Sequence, residues 1–143
     1  PYIFITRDEA KSQIEAMYSG NSYVTSELIS SYAWDTALNF ICQTSSAGYT
    51  LATTSSSSYG NINTGSRQNT GAYAADNYSN IHDLLGNCYE WTTGLSICSS
   101  PPYAPCVARG GDYNYGGNAA YRQYYWVTSS DVNISARVQL YVK

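Results

Sequence analysis

Asn80-Ile81-His82-Asp83-Leu84-Leu85-Gly86-Asn87-Cys88-Tyr89-Glu90-Trp91-Thr92 is the stretch on which the reading of this chain turns. Gly86-Asn87 marks a turn suited to positive φ, because glycine has no Cβ and asparagine tolerates the left-handed region. Trp91 is an apolar anchor entering the core. Glu90 stands between two aromatics, and a buried carboxylate without a partner is costly. Arg137 can supply that partner as a bidentate fork. The plain reading of Glu90 is a structural hydrogen-bond network.

Downstream, Arg109-Gly110-Gly111-Asp112-Tyr113 holds a glycine pair that lets two backbones approach closely. Cys106–Arg109 and roughly 120–127 read as strands. Ile134, Ala136, Val138, Leu140 and Val142 alternate with polar residues or Tyr141, the period of a half-buried strand. Upstream, Tyr2–Ile5 is a short β-type run, and Thr6 with Glu9 forms a capping box. Ala10, Ile14 and Met17 then mark a helix that Gly20 stops. Trp34, Ala37, Leu38, Ile41 and Cys42 give a second apolar stripe, on a helix from about Ser31 to Gln43. Residues 48–80 lose periodicity and read as a surface excursion. There is no internal repeat. Helices first and strands later argue an α+β fold. Its two N-terminal amphipathic helices are followed by long irregular loops and small antiparallel sheets that join the two termini.

The composition bounds the function. The 143 residues (15.7 kDa) make one domain, 1–143. Charged residues are 12%, net charge is −3 and the pI is about 4.8. Lysine occurs only at Lys11 and Lys143, and the five arginines are scattered, so the clustered cations of a nucleic-acid partner are missing. No apolar run approaches the roughly 20 residues of a membrane span, and no membrane insertion is expected. A chain that opens at Pro1 without Met is expected to be the C-terminal part of a longer protein, through which it could oligomerise. Tyrosine is the unusual residue: 16, against 2 Phe and 3 Trp. With abundant Ser, Asn and Gly this is the composition of an antibody-like contact surface. The alternative is a low-charge β-rich domain that covers its sheets with Tyr.

Four cysteines are too few for a disulfide framework at this length. Cys98 and Cys106 flank a Pro-rich loop and could bridge across a hairpin neck, while Cys42 and Cys88 read as small buried residues. His82 is the sole histidine and no C-x-x-C occurs, so neither a zinc site nor a Ser–His–Asp triad is expected. The sequons at Asn77 and Asn133 are read as chance.

Residues 80–92 resemble the N-[IV]-x-D-[LM]-x-G-N-[VL]-[WY]-E-W-[TS] signature of the formylglycine-generating-enzyme-like branch of the C-type lectin fold. Arg109–Tyr113 resembles that family's R-G-G-[SD]-[WFY] strand and turn. Ile134-Ser135-Ala136-Arg137-Val138 resembles its closing [IL]-[GS]-[FA]-R strand. The resemblance implies a C-type lectin fold. It marks Asn80, Asp83, Gly86, Asn87, Glu90, Trp91, Arg109, Gly110, Gly111 and Arg137 as its structural motif. It also implies that the Glu90 position can sit at a calcium site with nearby carbonyls; the residues themselves call for no metal and no cofactor. The family's catalytic members carry a cysteine pair between R-G-G and the closing strand. Residues 112–133 contain no cysteine, so no catalytic residue and no enzyme is expected. The Glu-Pro-Asn, Gln-Pro-Asp and Trp-Asn-Asp signatures of calcium-dependent sugar binding are also missing.

What fills residues 112–133 is informative: five Tyr, one Trp, three Asn, two Asp and four Gly or Ser among 22 residues. The segment looks like the variable region of diversity-generating-retroelement target proteins, with a variable segment of about 109–135. In those proteins, adenine-directed mutagenesis rewrites Asn codons, reaching Tyr, Asn, Asp, Ser and Gly but neither Trp nor Gln. The ligand-binding residues expected from this likeness are Asp112, Tyr113, Asn114, Tyr115, Asn118, Tyr121, Gln123, Tyr124, Tyr125, Trp126, Asp131 and Asn133. Tyr113, Asn114, Tyr115, Gln123, Tyr125 and Asp131 are expected on the exposed face. Tyr121, Tyr124 and Trp126 could alternate inward, with Trp126 the leading core member. The function expected is adhesion to a cell-surface protein or glycan, from a phage virion or a bacterial surface. The alternatives are a fixed adhesin or structural domain of the same fold, and a formylglycine-generating-type oxidase.

Overall fold

The computed structural model describes residues 1–74, 77–96 and 106–143. Helix α1 spans Arg7–Met17 and opens on the expected capping box, with Thr6 and Glu9 bonding reciprocally. Ala10 and Ile14 are buried, but Met17 lies on the exposed last turn. The chain then forms β1, Val24–Leu28, and α2, Ser31–Thr44, whose first turn is capped by Ser30. Trp34, Leu38 and Ile41 carry the buried stripe of α2. A short third helix, α3 (Gly48–Thr53), interrupts the stretch read as irregular. Gly48 lies against α2: a Cβ there would stand 2.3 Å from the Ile41 carbonyl oxygen. Only glycine permits that approach, and it buries Leu51 beside Ile41 and Trp34.

The remaining strands are β2 (Asn77–Tyr78), β3 (Ile81–His82), β4 (Tyr89–Leu95), β5 (Cys106–Arg109), β6 (Arg122–Tyr125), β7 (Ile134–Ala136) and β8 (Val138–Val142). A four-stranded sheet runs β6-β5-β4-β7. Its β4–β5 and β5–β6 pairs are antiparallel, but β4 and β7 are parallel, with Glu90 opposite Ser135. This corrects the expectation of purely antiparallel sheets. The fold is mixed α+β, with few helices and small sheets.

The closing strand departs from its expected form. The alternation over 134–142 is split at Arg137 between two sheets: β7 joins β4, and β8 pairs with β1 in a two-stranded ribbon. Only Ile134 of the five alternating apolar residues is fully buried, and Val142, at the ribbon's end, is 89% exposed. The terminal strand does pair with an N-terminal segment, but that segment is β1. Tyr2–Ile5 forms no strand: Phe4 sits at φ 55°, which breaks an extended run, and its N–H donates to the Asp131 carbonyl.

Two apolar clusters flank the sheet. One gathers Ile29, Trp34, Leu38, Ile41, Leu51, Ile62, Leu84 and Leu85. The other gathers Ile5, Ala10, Ile14, Leu28, Tyr89, Trp91, Cys106, Ala108 and Ile134. Trp91 is fully buried, and its indole N–H donates to the Ile5 carbonyl at 2.9 Å, as a buried Trp requires. The bridge considered for Cys98 and Cys106 falls on Cys98, outside the described residues. Cys42 is half-buried rather than buried, its Sγ donating to the Gly48 carbonyl.

Candidate ligand-binding face

The framework under the face is the turn at 83–87. Asp83, Gly86 and Asn87 all have positive φ (56°, 83° and 62°), as does Asn80 (63°). Gly86 donates its N–H to the Gly110 carbonyl, and Asn87 donates to the Asn61 carbonyl. A Cβ on Gly86 would meet that Asn61 oxygen at 2.4 Å. The side chains continue the network. Asn61 Nδ2 donates to Asn87 Oδ1 at 3.1 Å, Gln68 N donates to the same oxygen, and Gly71 N donates to Asp83 Oδ2. These bonds pin the loop of residues 60–71 to the turn. Asn61, fully buried, is a framework residue that sequence reading missed; Gly60-Asn61 beside a Gly/Ser/Thr run looked like ordinary loop.

Arg137 closes the framework from the chain end. Its Nε and Nη2 donate to the two Glu90 oxygens at 2.6 and 2.9 Å, and Nη2 also reaches the His82 carbonyl at 2.8 Å. This is the fork the sequence led us to expect. Burial pushes the Glu90 carboxyl up, against the opposing pull of Arg137. Both Glu90 oxygens take bonds from Arg137, so the donor set around Glu90 does not fit calcium. No group of three His, Cys, Asp or Glu side chains that could hold a metal occurs among the described residues.

Arg109 is buried, with its guanidinium carbon 5.7 Å from the centre of the Trp34 ring. Its Nη2 donates to Asp35 Oδ1 at 2.5 Å, while Arg122 donates to Asp35 Oδ2 at 2.7 Å. Asp35, on the solvent side of α2, thus ties β5 and β6 to the helix. Nothing in its sequence context signalled that role. Gly110, at φ 93°, brings the chain against Leu84 and Trp34; a Cβ would lie 2.9 Å from the Leu84 carbonyl oxygen. Gly111 lies similarly against Gly117.

The expected contact residues separate into three groups. Asp112 and Tyr113 are not on the surface. Asp112 is fully buried: Oδ1 accepts from the N–H groups of Asn114 and Tyr115, and Oδ2 accepts from Asn133 Nδ2. Tyr113 is 8% exposed, because its backbone is clamped between Asn87 and Thr64. Asp112 therefore braces the turn that carries Asn114 and Tyr115, both exposed.

The second group forms one depression of about 440 Å³. Tyr115, Tyr121, Gln123, Tyr125, Asp131 and Asn133 line it, with Tyr89 at its base. Register fixes its inner wall. Gln123 and Tyr125 pair opposite Ala108 and Cys106, so their side chains share one face of β6. Both are half-buried instead of exposed. The Tyr125 ring packs 5.8 Å from Tyr89 and 5.6 Å from Trp91, nearly edge-on to both. Tyr121 is exposed, its ring 6.3 Å from Tyr89. Burial, with Asp112 nearby, pushes Tyr89 up to about 12. Burial also pushes Tyr125 up, with Tyr89 and the two aspartates adding to it.

The third group faces elsewhere. Arg122 and Tyr124 point from the opposite face of β6, where Tyr124 is 52% exposed. Trp126 is 56% exposed, not a core residue: β6 ends at Tyr125, and the chain turns at once, with Ser129 N donating to the Trp126 carbonyl. Asn118 is half-buried, and its carbonyl accepts from the Tyr121 N–H. The residues of 112–133 thus do not make a single flat patch.

Among the described residues, no helix is long and apolar enough to cross a membrane. No protein-family model matches the sequence, and no curated protein matches it. Among solved structures, the crystal structure of CarF superposes over 100% of this chain and 67% of its own, with a TM-score of 0.74 at 12% identity. At that identity the likeness is one of fold, and the chain shares its fold with CarF.

Proposed function

We propose that this chain is a non-catalytic ligand-binding domain of C-type lectin fold that displays a diversified, Tyr-rich surface. It would serve adhesion to a cell-surface protein or glycan, from a phage virion or a bacterial surface. The observation that carries the reading is the depression formed by Tyr115, Tyr121, Gln123, Tyr125, Asp131 and Asn133. All six come from one segment of 22 residues, set on a rigid framework outside it. Aromatic side chains with small polar neighbours give large contact area at low entropic cost. A stiff scaffold beneath them lets the contact residues change without moving the fold.

The two buried thiols, Cys88 and Cys106, fit this reading better than an oxidase. Cys88 is buried, and burial pushes it up to about 12, while Cys106 is buried and raised by the same cause. A thiol so placed is a poor nucleophile. Adhesion through one such face would be weak, and many copies on one particle would offset that through effective concentration.

The test is deep sequencing of the codons for residues 109–143 in a population grown from one clone. Substitutions confined to template adenines and clustered at Asn114, Tyr115, Tyr121 and Asn133 are expected. A uniform sequence with no near-repeat of the segment nearby in the genome would overturn diversification and favour a fixed adhesin of the same fold.

A further inference from the structure

The chemistry of the tyrosine depression is one-sided. Four phenol rings, from Tyr89, Tyr115, Tyr121 and Tyr125, surround a space of about 440 Å³. The face of such a ring carries negative potential and attracts cations. Asp131 lines the same space, and its side chain accepts from the adjacent Val132 N–H. Asp112 lies beneath it, bonded to Asn133 and to two turn N–H groups. Neither carboxylate makes an ion pair among the described residues. Among the described residues no Lys, Arg or His lines the depression; Arg67 donates to the Val132 carbonyl without lining it. Asn133 Oδ1 is buried with no hydrogen-bond partner among the described residues, a spare acceptor at the wall.

We propose that this depression takes a cationic group of the ligand, an alkylammonium or a guanidinium, held by the phenol faces, Asp131 and the Asn133 carbonyl oxygen. The inference rests on the reading of this face as ligand-binding and names the class of group it recognises. An anionic group would meet the Asp131 carboxylate, which has no ion pair among the described residues. A neutral hydroxylated group would desolvate Asp131 without neutralising it. A cation satisfies the spare acceptor and the Asp131 carboxylate at once.

The test is an NMR titration of the intact chain with four probes: choline, methylguanidinium, 3,3-dimethyl-1-butanol and methyl α-glucopyranoside. The third probe has the shape of choline without its charge. Choline or methylguanidinium is expected to shift Tyr121, Tyr125 and Asn133 resonances saturably, at least about fivefold more tightly than the alcohol. Which cation binds better distinguishes a lipid-type headgroup from a basic side chain as the source. Asp131→Asn, at an exposed position that keeps the acceptor for Val132 N, is expected to weaken the cation by about two- to fivefold and leave the alcohol unchanged. Equal affinity for choline and the alcohol, or a response on this face to the sugar alone, would overturn the cationic class while keeping the face as a ligand site. Shifts confined to another surface would overturn both readings. No response to either cation would overturn the cationic inference.

Discussion

Residues 83–91 and residues 112–133 are both rich in polar and aromatic side chains, yet they do opposite things with them. In the first region the acidic and amide side chains are tied into the framework: Glu90 by Arg137, Asp83 and Asn87 by the backbone of residues 68–71. In the second, tyrosines crowd around a space that none of the described residues fills. The difference lies in what surrounds each set. The first is enclosed by Trp91, Leu84, Leu85 and the buried Arg109, so an unmet polar group there would be expensive. The second is anchored at only a few points, chiefly Asp112 and Tyr125, and its outer residues answer to solvent. A fold that confines its strict requirements to a small network can leave a neighbouring surface free to vary.

The largest effect should follow from breaking the network at its charge pair. Arg137→Ala leaves Glu90 buried without a partner and is expected to cost about 3–5 kcal/mol in denaturant unfolding. Next comes a residue on the wrong side of the sequence boundary. Asp112 lies in the segment proposed to vary but braces its turn with three accepted hydrogen bonds, so Asp112→Ala is expected to cost about 1–3 kcal/mol. A cost near zero would remove Asp112 from the framework. Gly110→Ala, at φ 93° against Leu84, should fall in a similar range of about 1–3 kcal/mol. The two regions should also part under alkaline titration. Tyr89 and Tyr125 have raised folded values, so their neutral forms are favoured by folding. That contribution is present below pH 10 and is lost as pH climbs through about 12. Absorbance at 295 nm should show these two ionising only as the fold fails. The smallest effect is expected at the face itself: Tyr115→Ala and Tyr124→Ala should shift stability by no more than about 0.5 kcal/mol.

Much of the framework was legible because its signals are local or chemically singular. The Thr6–Glu9 box, the stripe of α2, the Gly86-Asn87 turn and the Glu90–Arg137 fork all emerge from residue type and spacing. What escaped depends on long-range register. Helix α3 hides in a stretch without apolar period, because it is six residues long and held by the approach of Gly48 to α2. The split of 134–142 between two sheets cannot be read from an alternation that continues across Arg137. Trp126 and Tyr125 exchanged their expected places because strand β6 ends between them. Asp112 and Tyr113 look like display residues by composition, but the glycine pair before them turns the chain inward.

The most direct test of the account is a saturation scan of folding stability across residues 80–137, read by protease resistance of displayed variants. The account predicts that Gly86, Asn87, Glu90, Trp91, Arg109, Gly110, Asp112 and Arg137 resist substitution. It also predicts that Asn114, Tyr115, Tyr121, Gln123, Tyr124 and Asp131 accept most residues with little loss. If the second set proved as intolerant as the first, those tyrosines would be structural, and a variable face on a fixed framework would be contradicted.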